Sequence, residues 1–387
     1  MNQRNLHFRL GSFYFVYFLM LGGVAPYFSL YLRKLGFSGI EIATLLALMP
    51  LARVVAPPAW AWIADHQGKR RPLVRMTTAA AALACAGLLF ATTYAWMFIV
   101  IVVLNVFWCA ALPLVEATTM GHLAGRLGDY GRIRVWGSVS FVISVVVLGH
   151  VLDSTGILFL PVLLLALFSL NAVAAWALPV DSAPSHHEDH LPLGETMRRP
   201  EVIALFAACF LMAMAHGPYN TFYSIHLVEN GYSKSWVGRL WALSVAAEVF
   251  VFLLMPRMIK RFSVASIISF SLGCAVVRFL IIGWLPQNLS LMAFAQVLHA
   301  ATFGAHHAAA LAAIHHFFRG RTQARGQALY TSIGFGAGGV VGGLASGWLW
   351  EHAGPKLTFS FAAGVALIAL FVVAGRLRLA MPAPAHA

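Results

Sequence analysis

PYFSLYLRKLGFSGIEIATLLAL (26–48) and TFYSIHLVENGYSKSWVGRLWAL (221–243) are two versions of one pattern, set 195 residues apart. Each runs from an aromatic, apolar stretch through a short turn with glycine at 36 or 231 into a second apolar stretch. At the same offset Gly22 falls on Gly217 and Arg53 on Glu248. Chance likeness between apolar segments is the alternative. A loop and both its flanks recurring at one constant shift argue against it, so the chain is expected to consist of two repeated halves.

The solvent for those halves follows from composition. Of 387 residues, 60% are hydrophobic and 10% are charged, whereas soluble domains carry about a quarter charged residues. Such a chain cannot cover itself with polar surface, so the bilayer is its expected environment. Apolar runs predict spans near 8–32, 39–64, 72–93, 95–122, 131–152, 157–179, 201–228, 234–256, 263–285, 289–317, 324–350 and 356–376. Twelve spans of ~20 residues need roughly 240 residues, which leaves short loops and no room for a soluble domain. The expected class is an all-α integral membrane protein. Residues 1–180 form a first six-helix half, 181–199 a polar linker and 200–387 a second half.

The net charge of +13 suggests a nucleic-acid partner until its distribution is examined. Nineteen of the 26 Lys and Arg fall in the termini and even-numbered loops. Arg33, Lys34, Lys234 and Lys356 fall in the opposite loops, and Arg53, Arg239 and Arg278 within or at the edge of spans. The excess is therefore an orientation signal placing both termini in the cytoplasm, with an inner (plasma) membrane location and no nucleic-acid partner. The first apolar stretch is long and leads directly into a second, so it reads as helix 1 and not as a cleaved leader. Cys85, Cys109, Cys209 and Cys274 sit singly in apolar spans as small buried hydrophobes. No cofactor and no metal are expected. The linker histidines (His186, His187, His190) with Asp189, and the histidines at 306, 307, 315 and 316, are weighed as metal ligands and judged polar-loop and helix residues instead.

AWIADHQGKRRPL (61–73) resembles the loop signature between helices 2 and 3 of the major facilitator superfamily. Ala61 replaces the signature's usual first glycine, and the second-half counterpart PRMIKRF (256–262) is degraded. The resemblance implies a conformational latch: Asp65 capping and pairing at helix ends, Gly68 permitting a tight turn, and Lys69, Arg70 and Arg71 at the headgroups. YGRIRVWGSVSFVI (130–143), GYSKSWVGRLWALSVAAEVFVF (231–252) and LHAATFGAHHAAALAAI (298–314) resemble the phenylpropionate permease group of that superfamily, and more faintly the oligosaccharide–proton symporters. The resemblance implies the twelve-helix major facilitator fold with a central cavity between the halves. It also implies proton-driven uptake of small organic anions such as aromatic carboxylates. Sugar or nucleoside symport and proton-coupled export are the alternatives. No HExxH, GxSxG or paired-aspartate motif supports an enzyme. The expected partners are a small-molecule substrate, protons and lipid, for a monomer.

Charges inside spans are costly and mark function. Glu116 and Arg134 match an acid–arginine pair that binds sugar in the oligosaccharide symporters; a structural salt bridge and a snorkelling arginine stay open. Arg53 and Glu248, equivalent in the repeat, either pair or divide the work of anion and proton; a structural ion pair is the plainer reading. In the oligosaccharide symporters a carboxylate lies three residues after a helix 10 histidine, but here that position is Thr302. The carboxylate must then come from elsewhere, Glu248 or Glu116, and the proton path is assigned to Glu248, Arg278, His299 and His306. Helical spacing places His299, Phe303 and His306 on one face. Tyr27, Tyr223 and Trp241 are the aromatic substrate candidates, beside Tyr219 and Phe222. Trp96, Trp176, Trp284, Trp348 and Trp350 read as interfacial belt residues. The run GFGAGGVVGGLASG (334–347) reads as a close-packing helix face, not a phosphate loop.

Overall fold

A computed structural model describes residues 3–123, 127–179, 194–319 and 322–377. All regular structure among them is helical. The spans are α1 (Gln3–Lys34), α2 (Gly39–Gln67), α3 (Arg70–Ala86), α4 (Tyr94–Leu123), α5 (Leu127–Thr155) and α6 (Leu160–Trp176). They continue as α7 (Pro200–Glu229), α8 (Lys234–Arg261), α9 (Val264–Trp284) and α10 (Leu289–Phe317). The last helical run, Arg325–Leu377, counts as one span by length and composition. Gly354 breaks it at φ 77°, ahead of Pro355, which divides it into α11 (325–353) and α12 (355–377). The twelve expected spans are present. The linker residues 180–193 lie outside the described residues, and with them the histidine cluster at 186–190.

Two compact units result. The first holds α1–α6 together with residues 232–242, which include the start of α8, and the second holds α7, the remainder of α8 and α9–α12. In the first, α1 packs on α5 and α6, α4 on α2 and α3, and α3 on α6. In the second, α9 and the first segment of α7 both pack on residues 339–372.

The repeat is written in backbone geometry. Gly36 and Gly231 both turn the chain in the left-handed region, at φ 89° and 90°, where a Cβ would be strained. The helices that follow start differently. Ser38 and Glu41 form a reciprocal capping box on α2, with Ser38 Oγ accepting from Glu41 N at 3.2 Å and Glu41 Oε2 accepting from Ser38 N at 2.8 Å. At the equivalent place in α8 stands Trp236, so no carboxylate is available locally. Asp153 of α5 supplies it, accepting from Lys234 N at 2.8 Å and Ser235 N at 2.9 Å. A carboxylate at a helix N-terminus satisfies orphan N–H donors and opposes the helix dipole. Beside it, α5 and α8 touch: a Cβ on Gly238 would meet the Val145 carbonyl at 2.0 Å, and one on Gly149 the Lys234 carbonyl at 2.7 Å. These contacts explain why residues 232–242 belong to the first unit.

Candidate functional site

The second unit buries a continuous polar and aromatic cluster. Its centre is Arg278 on α9, a fully buried side chain. The guanidinium donates from Nε to the Ala295 carbonyl at 3.1 Å and from Nη1 to Thr302 Oγ1 at 3.3 Å. It also lies 4.1 Å above the ring of Tyr219, a cation–π placement. Nη2 has no hydrogen-bond partner among the described residues, and the ion pairs among them do not include Arg278.

The histidines of helix 7 count among the intramembrane candidates by type alone; one of them, His216, holds the other side of Arg278. Helix α7 is interrupted there, between the segments Pro200–Ala215 and Gly217–Glu229. Its Nδ1–H donates to the Met212 carbonyl at 2.8 Å. That bond fixes the tautomer and leaves Nε2 as an acceptor for Arg278 Nη1 at 3.3 Å. The interruption is sterically set: Pro218 carries no N–H, and a Cβ on Gly217 would come within 2.2 Å of the Gly342 carbonyl carbon on α11. The available signal was the triplet His216-Gly217-Pro218 in the middle of a span.

From Tyr219 a stack of rings extends both ways. Tyr223 lies 4.7 Å from Tyr219, and both hydroxyls engage Gln296 of α10: Tyr219 donates to its Oε1 at 2.9 Å, and its Nε2 donates to Tyr223 Oη at 2.6 Å. On the other side Tyr219 stacks on His299 at 5.6 Å, His299 on Phe303 at 5.4 Å, and Phe303 on His307 at 6.3 Å. His307 Nδ1 lies 2.7 Å from Tyr330 Oη. The face expected from regular helix spacing, His299–Phe303–His306, is therefore replaced by His299–Phe303–His307. Three and four residues on from Phe303 lie on one helix face, and the column takes the second of these positions, next to a π-helical stretch, Ala300–Ala305. His306 is buried, and neither of its ring nitrogens has a partner among the described residues.

Glu248 of α8 approaches this column. Its Oε2 lies 3.8 Å from His299 Nε2, while His299 Nδ1 has no partner among the described residues. Thus Glu248, His299, Arg278 and Tyr223 are brought together, with His216, Gln296 and Tyr219 added.

In the first unit Glu116 and Arg134 are neighbours on α4 and α5 without forming the direct salt bridge of the alternative reading. The Tyr130 hydroxyl donates to Glu116 Oε1 at 3.4 Å. The Arg134 guanidinium lies 4.0 Å over Phe18 and 5.8 Å over Tyr14. Arg53 on α2 faces the α4 side of the unit near Cys109. Tyr27 is fully buried; its hydroxyl donates to the Val145 carbonyl and lies 3.5 Å from that of Lys234, at the α5–α8 contact. Trp241 is buried as well. In the latch motif Gly68 ends α2 at φ 62° and Lys69 precedes α3; the Asp65 side chain lies outside the described residues. One belt assignment is corrected: Trp350 is buried and stacks on Phe222 at 4.5 Å and 7°. Trp96, Trp176, Trp284 and Trp348 are exposed.

Comparison with known proteins agrees with this architecture. The MFS_1 like family matches residues 7–361. A probable 3-phenylpropionic acid transporter of Escherichia coli (strain K12) is 31% identical, over 93% of this chain and 95% of that protein. A maltose permease of Geobacillus stearothermophilus is 26% identical, over 95% and 94%. The crystal structure of the nucleoside transporter NupG superposes with a TM-score of 0.81 at 17% identity, covering 98% of this chain and all of that one. With eleven helical runs long and apolar enough to span a bilayer, the longest broken at Gly354, this multi-pass membrane protein is a secondary transporter and not an enzyme. It belongs to the MFS_1 like family of the major facilitator transporters.

Proposed function

We propose that the protein takes up a small organic anion of the aromatic carboxylate class together with protons. Its termini then lie in the cytoplasm and its spans in the inner membrane. The observation that carries this reading is the fully buried Arg278 with an unpartnered Nη2 and no ion pair among the described residues. A cation buried in protein inside a bilayer is costly unless it is paired. A substrate carboxylate supplies the missing charge, and the Tyr219–Tyr223 pair offers π-faces to the rest of an aromatic acid. The 31% identity to the probable 3-phenylpropionic acid transporter supports the same class. Glu248 and His299, a carboxylate and an imidazole in near contact, are the proposed proton carriers, with His306 as the next imidazole along α10.

A second reading, a neutral polar solute such as a sugar or nucleoside, is favoured by the Glu116–Tyr130–Arg134 group, which presents acceptor, hydroxyl and donor together. Uptake by proteoliposomes under an imposed inward proton gradient separates the two. Labelled 3-phenylpropionate, maltose and a nucleoside are supplied in parallel. Accumulation of the aromatic acid that ceases when the pH gradient and membrane potential are collapsed is the expected result. Accumulation of maltose or nucleoside alone overturns the anion reading, and accumulation that survives the collapse overturns proton coupling.

A further inference from the structure

Apart from the buried cluster, the first unit carries an open groove of about 540 Å³ between the start of α1 and the start of α5. Its walls are apolar: Phe8, Phe15 and Val16 from α1, Ile133 and Trp136 from α5. Phe8 is 74% exposed and Trp136 51%. The floor is made by small residues, Gly11 and Ser12, and the Ser12 hydroxyl is satisfied within its own helix by the Phe8 carbonyl at 2.7 Å. Nothing on the walls or floor therefore demands water. One end is different in kind. His7 and Arg132 line it. Asp129 is the acid there, with its carboxylate 3.9 Å from His7 Nε2 and 3.7 Å from Arg132 Nη1. The Asp129 side chain is 16% exposed and that of Arg132 82%. The carboxylate is turned inward, then, and the guanidinium outward.

We propose that this groove is a binding site for one anionic phospholipid, whose acyl chain lies along Phe8, Phe15 and Trp136 and whose phosphate meets Arg132. The assignment rests on charge complementarity: an outward-turned arginine, a histidine and one inward-turned acid stand at the polar end of an apolar trough. An aromatic at such a boundary is suited to the depth of lipid headgroups. An acyl chain removes the exposed Phe8 and Trp136 surface from contact with mobile lipid, and an arginine binds a phosphate through paired N–H donors. The site is independent of which solute the protein carries.

Native mass spectrometry of the detergent-solubilised protein tests it, with dioleoylphosphatidylglycerol, dioleoylphosphatidylcholine or inorganic phosphate added in turn. The expected result is one phosphatidylglycerol retained in preference to phosphatidylcholine, and not displaced by inorganic phosphate. Arg132→Gln should weaken that retention about fivefold, the factor for removing one cationic side chain at an anionic lipid surface. Ser12→Trp, which fills the trough and leaves the basic end intact, should abolish it while the melting temperature stays within a few degrees of wild type. Equal retention of the two lipids by the wild type overturns the proposal. So does unchanged phosphatidylglycerol retention in both variants. Displacement by inorganic phosphate overturns the acyl-chain part and leaves a bare anion site.

Discussion

At the scale of single residues, the decisive feature is a cation held by neutral groups. Arg278 is kept in place by a carbonyl, a hydroxyl, an aromatic face and the lone pair of His216. Protonating His216 at Nε2 would turn that lone pair into an N–H aimed at the guanidinium. His216 is therefore read as a positioning residue that stays neutral, with the proton traffic assigned to Glu248 and His299. Two predictions follow from this division. His216→Gln keeps an acceptor near the same place and should retain uptake within about threefold, whereas His216→Leu removes a hydrogen bond to a charged group and should lower it about tenfold or more. Equal uptake by both variants sinks the positioning role; proteoliposome uptake over a range of pH also reads whether the Gln variant keeps the wild-type pH profile. The second concerns the proton. Glu248→Gln is isosteric but cannot ionise, so gradient-driven accumulation should disappear while substrate binding, followed by ligand protection of the melting temperature, persists. Undiminished accumulation removes Glu248 from the proton path.

Elements explain why those residues meet, and where the sequence stops being legible. The twelve spans could be read because each is a long apolar run, and the repeat because Gly36 and Gly231 hold the same turn. Glycines at equivalent places also do equivalent work. A Cβ at Gly22 would stand 2.7 Å from Ser144 Cβ on α5, as one at Gly217 would stand 2.2 Å from Gly342 on α11. The contact of α7 and α11 is made of backbone, so nothing there is able to yield. Gly217→Val should therefore overpack the crossing by about 1–3 kcal/mol, read as a lowered melting temperature in detergent. Gly273, whose Cβ would meet nothing within 4 Å, provides the control: Gly273→Ala should leave the melting temperature no lower than wild type, because alanine is the better helix former. What the sequence hid is helical phase. Regular spacing allows either His306 or His307 after Phe303, at three or four residues on, and the ring column takes His307. Counting residues does not choose between two neighbours on one helix face, which is why the column could not be counted out in advance. The Tyr130 contact was hidden for another reason. Spacing set Glu116 and Arg134 on adjacent helices, but which hydroxyl meets the carboxylate depends on side-chain direction.

For the whole molecule, the strongest sequence signal is the uneven placement of charge, and its consequence is a definite orientation. Lys34 ends α1 and His352 lies just before the break between α11 and α12, both exposed. Lys69 precedes α3 and Arg261 ends α8, also exposed. An odd number of spans separates any member of the first pair from any member of the second, so the two pairs must lie on opposite sides. Under the proposed orientation, with both termini in the cytoplasm, the first pair lies outside. Single cysteines at these positions test the assignment, because the natural cysteines form a quiet background: Cys85, Cys109 and Cys209 are buried and Cys274 is partly so. With a membrane-impermeant maleimide on intact cells, Lys34→Cys and His352→Cys should be labelled at once. Lys69→Cys and Arg261→Cys should be labelled only after permeabilisation. The reverse pattern would invert the protein in the membrane and turn proton-driven uptake into export. Mixed labelling within a pair would instead break the twelve-span count, most directly at Gly354, the residue on which the division of the last helical run depends.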